Sequence, residues 1–155
     1  MDFNTITQIN FVQVNLHHSI AATSTLVQRV KDQNISVACV QEMYHVMSKP
    51  VGIPSLCKLF GSQRENLKSG IICFHPDLPV IKVFSATNTI GVTFPYRSSN
   101  LLVISVYCTL KEDLYHNLDE LENCLMLPHE RVLLTGDFNS KSPVCGSDIE
   151  DKRGK

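Results

Sequence analysis

Residues 8–16 alternate in character, with Ile9, Phe11, Gln13 and Asn15 on one face and Val12, Val14 and Leu16 on the other. A period of two places successive side chains on opposite faces, so the segment predicts a strand. The period then lengthens. Leu26, Val27 and Val30 form an apolar helical face within residues 19–34, and Ser19 stands where an N-cap belongs. Residues 35–40 are an apolar run that predicts a central strand. Residues 43–68 show no period and hold Pro50, Gly52, Pro54 and Gly61, so they read as irregular. Short strands follow at 70–74, 80–84, 90–94 and 101–107. Pro76-Asp77, Asn88 and the stretch 95–100 separate them, as in hairpins or a meander. Leu114, Leu118, Leu121 and Leu125 make one face of a second helix, which Pro128 ends. The last predicted strand is 131–135, and the chain turns polar after Asn139.

Strands with two helices, one between the first two strands, predict an α/β fold: a two-layer β-sandwich flanked by helices. Seven strands and two helices are too few to close both faces of two sheets. Such architectures often run to roughly 200–250 residues in one domain. The expectation is a partial domain over residues 1–140, incomplete at its C-terminal side. A polar tail, 141–155, would lead into the remainder.

Composition narrows the class. In 155 residues, 43% hydrophobic and 19% charged content suits a globular core rather than a disordered or fibrous chain. A formal net charge of −1 gives no whole-protein attraction to nucleic acid, so DNA binding would need a local patch or a bound cation. No apolar stretch approaches the roughly 18 residues of a membrane span, and no membrane partner is expected. Asp2 precedes any basic residue, and no signal-peptide core follows. Six cysteines lack any C-x-x-C pair. Cys39, Cys73 and Cys108 fall inside strand-like runs, which favours buried reduced thiols and a nuclear or cytoplasmic location.

Candidate chemistry gathers at strand ends. Asn15, Glu42, Tyr107, Asp137 and Asn139 each lie at or just beyond the C-terminal end of a predicted strand, where loops and ligands meet in α/β folds. Glu42 is a natural ligand for Mg²⁺, which takes one or two protein carboxylates and completes its shell with water and phosphate. Asp137 could orient or deprotonate a water. Asn15 and Asn139 offer amide donors to a phosphoryl oxygen. Each residue alone also has an ordinary role: turn or cap for Asn15 and Asp137, solvated loop carboxylate for Glu42, half-buried packing for Tyr107. His17-His18 looks like a metal pair, but neighbours on a strand point to opposite faces. His45, His75, His116 and His129 share no ligand spacing.

Taken in order, Gln13-Val14-Asn15, Val40-Gln41-Glu42, Ser69-Gly70-Ile71-Ile72, Ser105-Val106-Tyr107 and Gly136-Asp137-Phe138-Asn139 cover essentially the whole chain. This set resembles the endonuclease/exonuclease/phosphatase superfamily, and is most similar to the endonuclease domain of non-LTR retrotransposons. The stretch from Gly136 through Ser142-Pro143, with Gly146-Ser147 and Asp151-Lys152-Arg153-Gly154, looks like the elements that insert at defined target sequences. The resemblance implies that Glu42 binds metal and that Asn15 helps hold metal water and phosphate. It implies that Tyr107 lies near the scissile phosphate, and that Asp137 and Asn139 position the nucleophilic water. The implied reaction is Mg²⁺-dependent nicking of DNA, with Mn²⁺ as a substitute. The implied partners are the DNA backbone and a reverse transcriptase domain of the same polyprotein. Family members continue for about another third of a domain to a serine–aspartate–histidine motif, and commonly have tryptophan where this chain has Cys145. Weak or absent activity of the 155-residue chain is therefore expected. The alternatives are a phosphodiesterase of the same fold on small phosphate esters or lipids, and a non-catalytic interaction module.

Overall fold

The computed structural model describes residues 8–63, 67–110 and 113–140. Among these, two four-stranded sheets stack face to face and each carries one helix on its outer side. The first sheet comprises β1 (Phe11–Asn15), β2 (Val37–Gln41), β5 (Lys58–Gly61) and β6 (Ser69–Cys73), in the order β1-β2-β6-β5. The second comprises β7 (Ile81–Ser85), β8 (Thr89–Tyr96), β9 (Ser99–Tyr107) and β10 (Arg131–Asp137), in the order β10-β9-β8-β7. A small hairpin, β3 (His45–Val46) with β4 (Lys49–Pro50), stands apart from both. This is the α/β sandwich flanked by helices that the pattern predicts.

Each sheet contains one parallel pair, and a helix makes each crossover. Helix α1 (Ile20–Gln33) joins β1 to β2, and α2 (Leu114–Leu125) joins β9 to β10. Parallel neighbours require such a long return connection. Ser19 caps α1 as expected, its hydroxyl accepting from the Ala22 amide. Asn34, left-handed at φ 50°, closes the other end.

Three apolar clusters hold the layers together. Val37, Cys39, Ile71, Ile90, Val92, Phe94 and Val103 pack between the sheets, joined by Phe11 of β1 and by Ile9 just before it. Leu26 of α1 packs on Leu16, Ala38, Val40 and Ile72, with Val12 and Val14 beside them. Leu121 and Cys124 of α2 pack on Leu102 and Ile104. Cys39, Cys73, Cys108 and Cys124 are buried free thiols, and burial pushes those of Cys39 and Cys124 up to about 11. The burial of Cys39, Cys73 and Cys108 matches the packed role read from the sequence. Cys145 lies outside the described residues, as do the tail 141–155 and its motif residues.

Several boundaries differ from the expectations. The stretch 43–68 is not wholly irregular, because it holds β3, β4 and β5. Strand β5 is a four-residue edge strand, too short to show a period. The turn read at 95–100 shrinks to Arg97 and Ser98, both at positive φ, since β8 and β9 pair out to Tyr96 and Ser99. Two positive-φ residues are the mark of the tight hairpin turn that matches strand twist. The last strand continues past residue 135, placing Asp137 opposite Tyr107.

Candidate active site

The two parallel pairs deliver their C-terminal ends to one place. Asn15 ends β1, Glu42 follows β2, Tyr107 ends β9, and Asp137 ends β10 with Asn139 two residues on. The five residues singled out in the sequence converge there. Asn15 Nδ2 donates to Asp137 Oδ2 at 2.8 Å, across 122 residues of sequence. The Asn139 backbone N–H donates to Asp137 Oδ1 at 3.0 Å. The Tyr107 phenol donates to Glu42 Oε1 at 3.1 Å. Both carboxylates are thus held in fixed orientations by groups from other strands.

The asparagine amides have work inside the protein. Asn139 Nδ2 donates to the Cys108 carbonyl at 2.7 Å, and Asn15 Oδ1 accepts from the His17 N–H at 2.8 Å. An amide NH₂ carries two hydrogens, so Asn15 keeps a second donor beyond the bond described, whereas Asn139 also contacts the Tyr107 phenol. Burial raises the Tyr107 phenol above its ordinary value. The hydrogen bond and charge of Glu42 add to this, and a contact from Asn139 works the other way. The phenol is therefore a neutral donor across the physiological range.

The sheet ends are held by polar contacts, one within the first sheet and two between the layers. Gln13 donates to Gln41 at 2.6 Å, Gln41 donates to Ser105 Oγ at 3.0 Å, and the Ser105 hydroxyl donates to the Val40 carbonyl at 3.2 Å. Gln41 and Ser105 are completely buried. Paired polar groups in a core fix one alignment of the sheets, because any slip strands a buried donor. Behind Tyr107, the Asn88 carbonyl accepts from the Tyr107 N–H at 3.0 Å and from the Ser69 hydroxyl at 2.6 Å. Glu120 of α2 holds that loop, accepting from the Thr87 and Asn88 N–H groups at 3.1 Å each, while Asn117 accepts from the Asn88 amide at 2.9 Å.

A cleft of about 470 Å³ opens beside the network, lined in part by Gln13, Asn15, Asp137, Asn139 and Ser140. Lys68 lies 5.3 Å from the centre of the Tyr107 ring, a cation beside the carboxylates. Sequence reasoning passed over Lys68, which sits in a stretch without period. Gln41 and Ser105 stand in the motifs that carry the resemblance, but no sequence pattern assigns them a role of their own. His17 and His18, discounted on strand geometry, approach Glu42 at 3.6 and 3.7 Å. Among the described residues, no three histidine, cysteine, aspartate or glutamate side chains form a ready metal cluster. Glu42 alone, with water and phosphate completing the shell, fits what Mg²⁺ needs.

Comparison with solved structures places this geometry in a known fold. The chain superposes on the endonuclease domain of TRAS1, a telomere-specific non-LTR retrotransposon. The TM-score is 0.81 at 25% identity, over 95% of this chain and 66% of that one. It also matches a humanized TDP2 from D. rerio (TM-score 0.62, 11% identity, 90% of this chain and 66% of that one). An endonuclease/exonuclease/phosphatase family protein from Leptotrichia buccalis matches at a TM-score of 0.60, with 14% identity, over 90% of this chain and 69% of that one. The chain thus spans 66% of the TRAS1 domain's length. No family model and no curated protein matches it. The fold is the endonuclease/exonuclease/phosphatase type, and the resemblance to a non-LTR retrotransposon endonuclease domain holds in three dimensions.

Proposed function

We propose that the chain is a divalent-cation-dependent DNA endonuclease domain of a non-LTR retrotransposon, hydrolysing phosphodiester bonds to nick target DNA. The observation that supports it is the pair of carboxylates held at the mouths of both sheets, Asp137 by Asn15 and Asn139 and Glu42 by Tyr107. Glu42, presented singly beside the cleft, would hold Mg²⁺ or Mn²⁺. When bound, the cation would supply positive charge to a phosphoryl oxygen. Asp137, clamped through both oxygens, orients a water and takes its proton as the oxygen attacks phosphorus. The remaining amide N–H of Asn15 would face charge developing on the phosphoryl oxygens, while Asn139 fixes the Asp137 carboxylate and the Tyr107 phenol around it. Tyr107 holds Glu42 in place, and Lys68 offers the DNA backbone a cation. In a longer polyprotein the nick would serve a reverse transcriptase domain, and the setting would be nuclear or cytoplasmic. A supercoiled-plasmid assay at high enzyme excess tests the reading. Slow nicking with Mg²⁺ or Mn²⁺ that disappears in Glu42→Ala and in Asp137→Ala is the expected result. Nicking that proceeds equally without a divalent cation, or that persists in both variants, refutes it.

A further inference from the structure

Strand β1 stops at Asn15, and His17 and His18 both take left-handed backbone conformations, at φ 49° and 52°. Glu42 does the same at φ 49°. Three non-glycine residues in this region carry backbone strain, which is tolerated where surrounding contacts fix it and which gathers at ligand clamps. The His18 N–H donates to the Glu42 carbonyl at 2.8 Å, locking the two turns together. Strand alternation does not apply to this turn. Both imidazoles lie against the Glu42 carboxylate: His17 Nδ1 is 3.6 Å from Oε2 and His18 Nε2 is 3.7 Å from Oε1.

The His18 ring has a defined tautomer when neutral. Its Nδ1 is 2.9 Å from the Met43 carbonyl, which can only accept, so Nδ1 carries the proton and Nε2 presents a lone pair. That lone pair faces a carboxylate oxygen at 3.7 Å. The gap is too long for a hydrogen bond. It lies just beyond the spacing of two ligands on one ion: donors about 2.0–2.2 Å from a cation lie roughly 2.8–3.6 Å apart between octahedral and tetrahedral angles, so a small turn of the ring would bring the pair onto one ion. A ring nitrogen bonded to a backbone carbonyl, with the other nitrogen free, is the usual outer support of a metal-binding histidine. His17 is more exposed and lacks such an anchor among the described residues.

We propose that His18 Nε2 joins Glu42 Oε1 as a ligand, making the cation seat a mixed imidazole–carboxylate pair. The inference rests on the reading of Glu42 as the cation ligand. Water and phosphate oxygens suit Mg²⁺, whereas imidazole suits later transition ions and Mn²⁺ accepts both. The seat therefore favours Mn²⁺ and Co²⁺ over Mg²⁺.

The test is direct cation binding to the full 155-residue chain without DNA. Free Mn²⁺ is followed by its electron paramagnetic resonance signal, Mg²⁺ by its displacement of Mn²⁺, and Co²⁺ by visible absorption. His18→Asn keeps an amide able to donate to the Met43 carbonyl but removes the Nε2 ligand. It should weaken Mn²⁺ and Co²⁺ binding about tenfold or more, as loss of a metal-site contact does, while Mg²⁺ binding changes far less. Equal losses for all three ions, or no loss, overturn the proposal. Long-range ¹H–¹⁵N correlation on the unmutated chain gives a second reading independent of any variant. The His18 Nε2 signal should be broadened by Mn²⁺, and a signal that Mn²⁺ leaves sharp overturns the proposal. Glu42→Gln separates this from its premise: if Mn²⁺ still binds with unchanged affinity, the assignment of Glu42 fails irrespective of His18.

Discussion

Glu120 should matter far more to this protein than its helical position suggests. It sits on α2, only 7% exposed, and its two oxygens accept from the Thr87 and Asn88 N–H groups at 3.1 Å each. In Glu120→Ala, the buried Asn88 N–H and the part-buried Thr87 N–H lose their carboxylate acceptor. Each such loss costs about 1–3 kcal/mol, and water reaching the site from the half-open His116 side recovers part of it. The expected destabilisation is about 2–4 kcal/mol, read as the midpoint shift in urea unfolding at constant slope. In a domain of this size it corresponds to a fall in Tm of roughly 5–15 °C. Glu120→Gln should recover only part, because its NH₂ faces one of the same donors. His116 lies 3.3 Å from Glu120 but is half exposed, so His116→Ala should cost under about 1 kcal/mol. The Asn88 carbonyl accepts the Tyr107 N–H, so hydrogen exchange at Tyr107 should quicken in Glu120→Ala. A loss below about 1 kcal/mol, or an equal loss in His116→Ala, would refute the anchoring role.

Three further outcomes follow from particular atoms. A Cβ at Gly136 would stand 2.5 Å from both the carbonyl oxygen and Cγ1 of Val106. Gly136→Ala must therefore part β9 from β10, costing about 3 kcal/mol or more by overpacking, and thermal unfolding at an unchanged Tm would contradict this. The Thr89 hydroxyl is fully buried with no partner among the described residues, so Thr89→Val should stabilise by about 1 kcal/mol; a lower denaturation midpoint would count against it. Burial, then Glu42, raises the Tyr107 phenol above 10.0. Its stabilising contribution is fully present below that value and is lost as pH rises through and past it. One of the four tyrosines should thus ionise late in an ultraviolet titration, and Tyr107→Phe should remove that late phase.

The sequence carried the scaffold well where period and burial agree. Strand β2 reads as central because both faces are buried, whereas the leucine stripe of α2 is only the edge of its packed face: Asn117, Glu120, Leu121 and Cys124 are buried and Leu118 is exposed, because polar contacts to the Asn88 loop take the place of apolar ones. Ser19 was legible as a cap because its chemistry is local. What stayed hidden depends on distant chain. Strand β5 exists through its ladder to β6, not through any pattern in Lys58-Leu59-Phe60-Gly61. Pro95 looked like turn material but pairs with Asn100 in the hairpin. At the site, polarity at strand ends flagged all five residues, and resemblance supplied their roles. Nothing in the sequence shows that Asn15 bonds Asp137, or that His17 and His18 leave strand geometry and turn onto Glu42.

The contact between Asn15 and Asp137 also bears on how the chain acquires its site. One βαβ unit closes within the first forty-one residues, and the other within residues 99–137. Each can form from local contacts, but neither holds a complete set of site groups. The cleft is a seam that appears only when the two sheets dock in register. Long-range closure is slow and carries its entropy cost before any reward. The site is thus expected to be the last feature assembled and the first lost. Loosening Phe94 or Val92, deep between the layers, would blunt the site while both units stay largely folded.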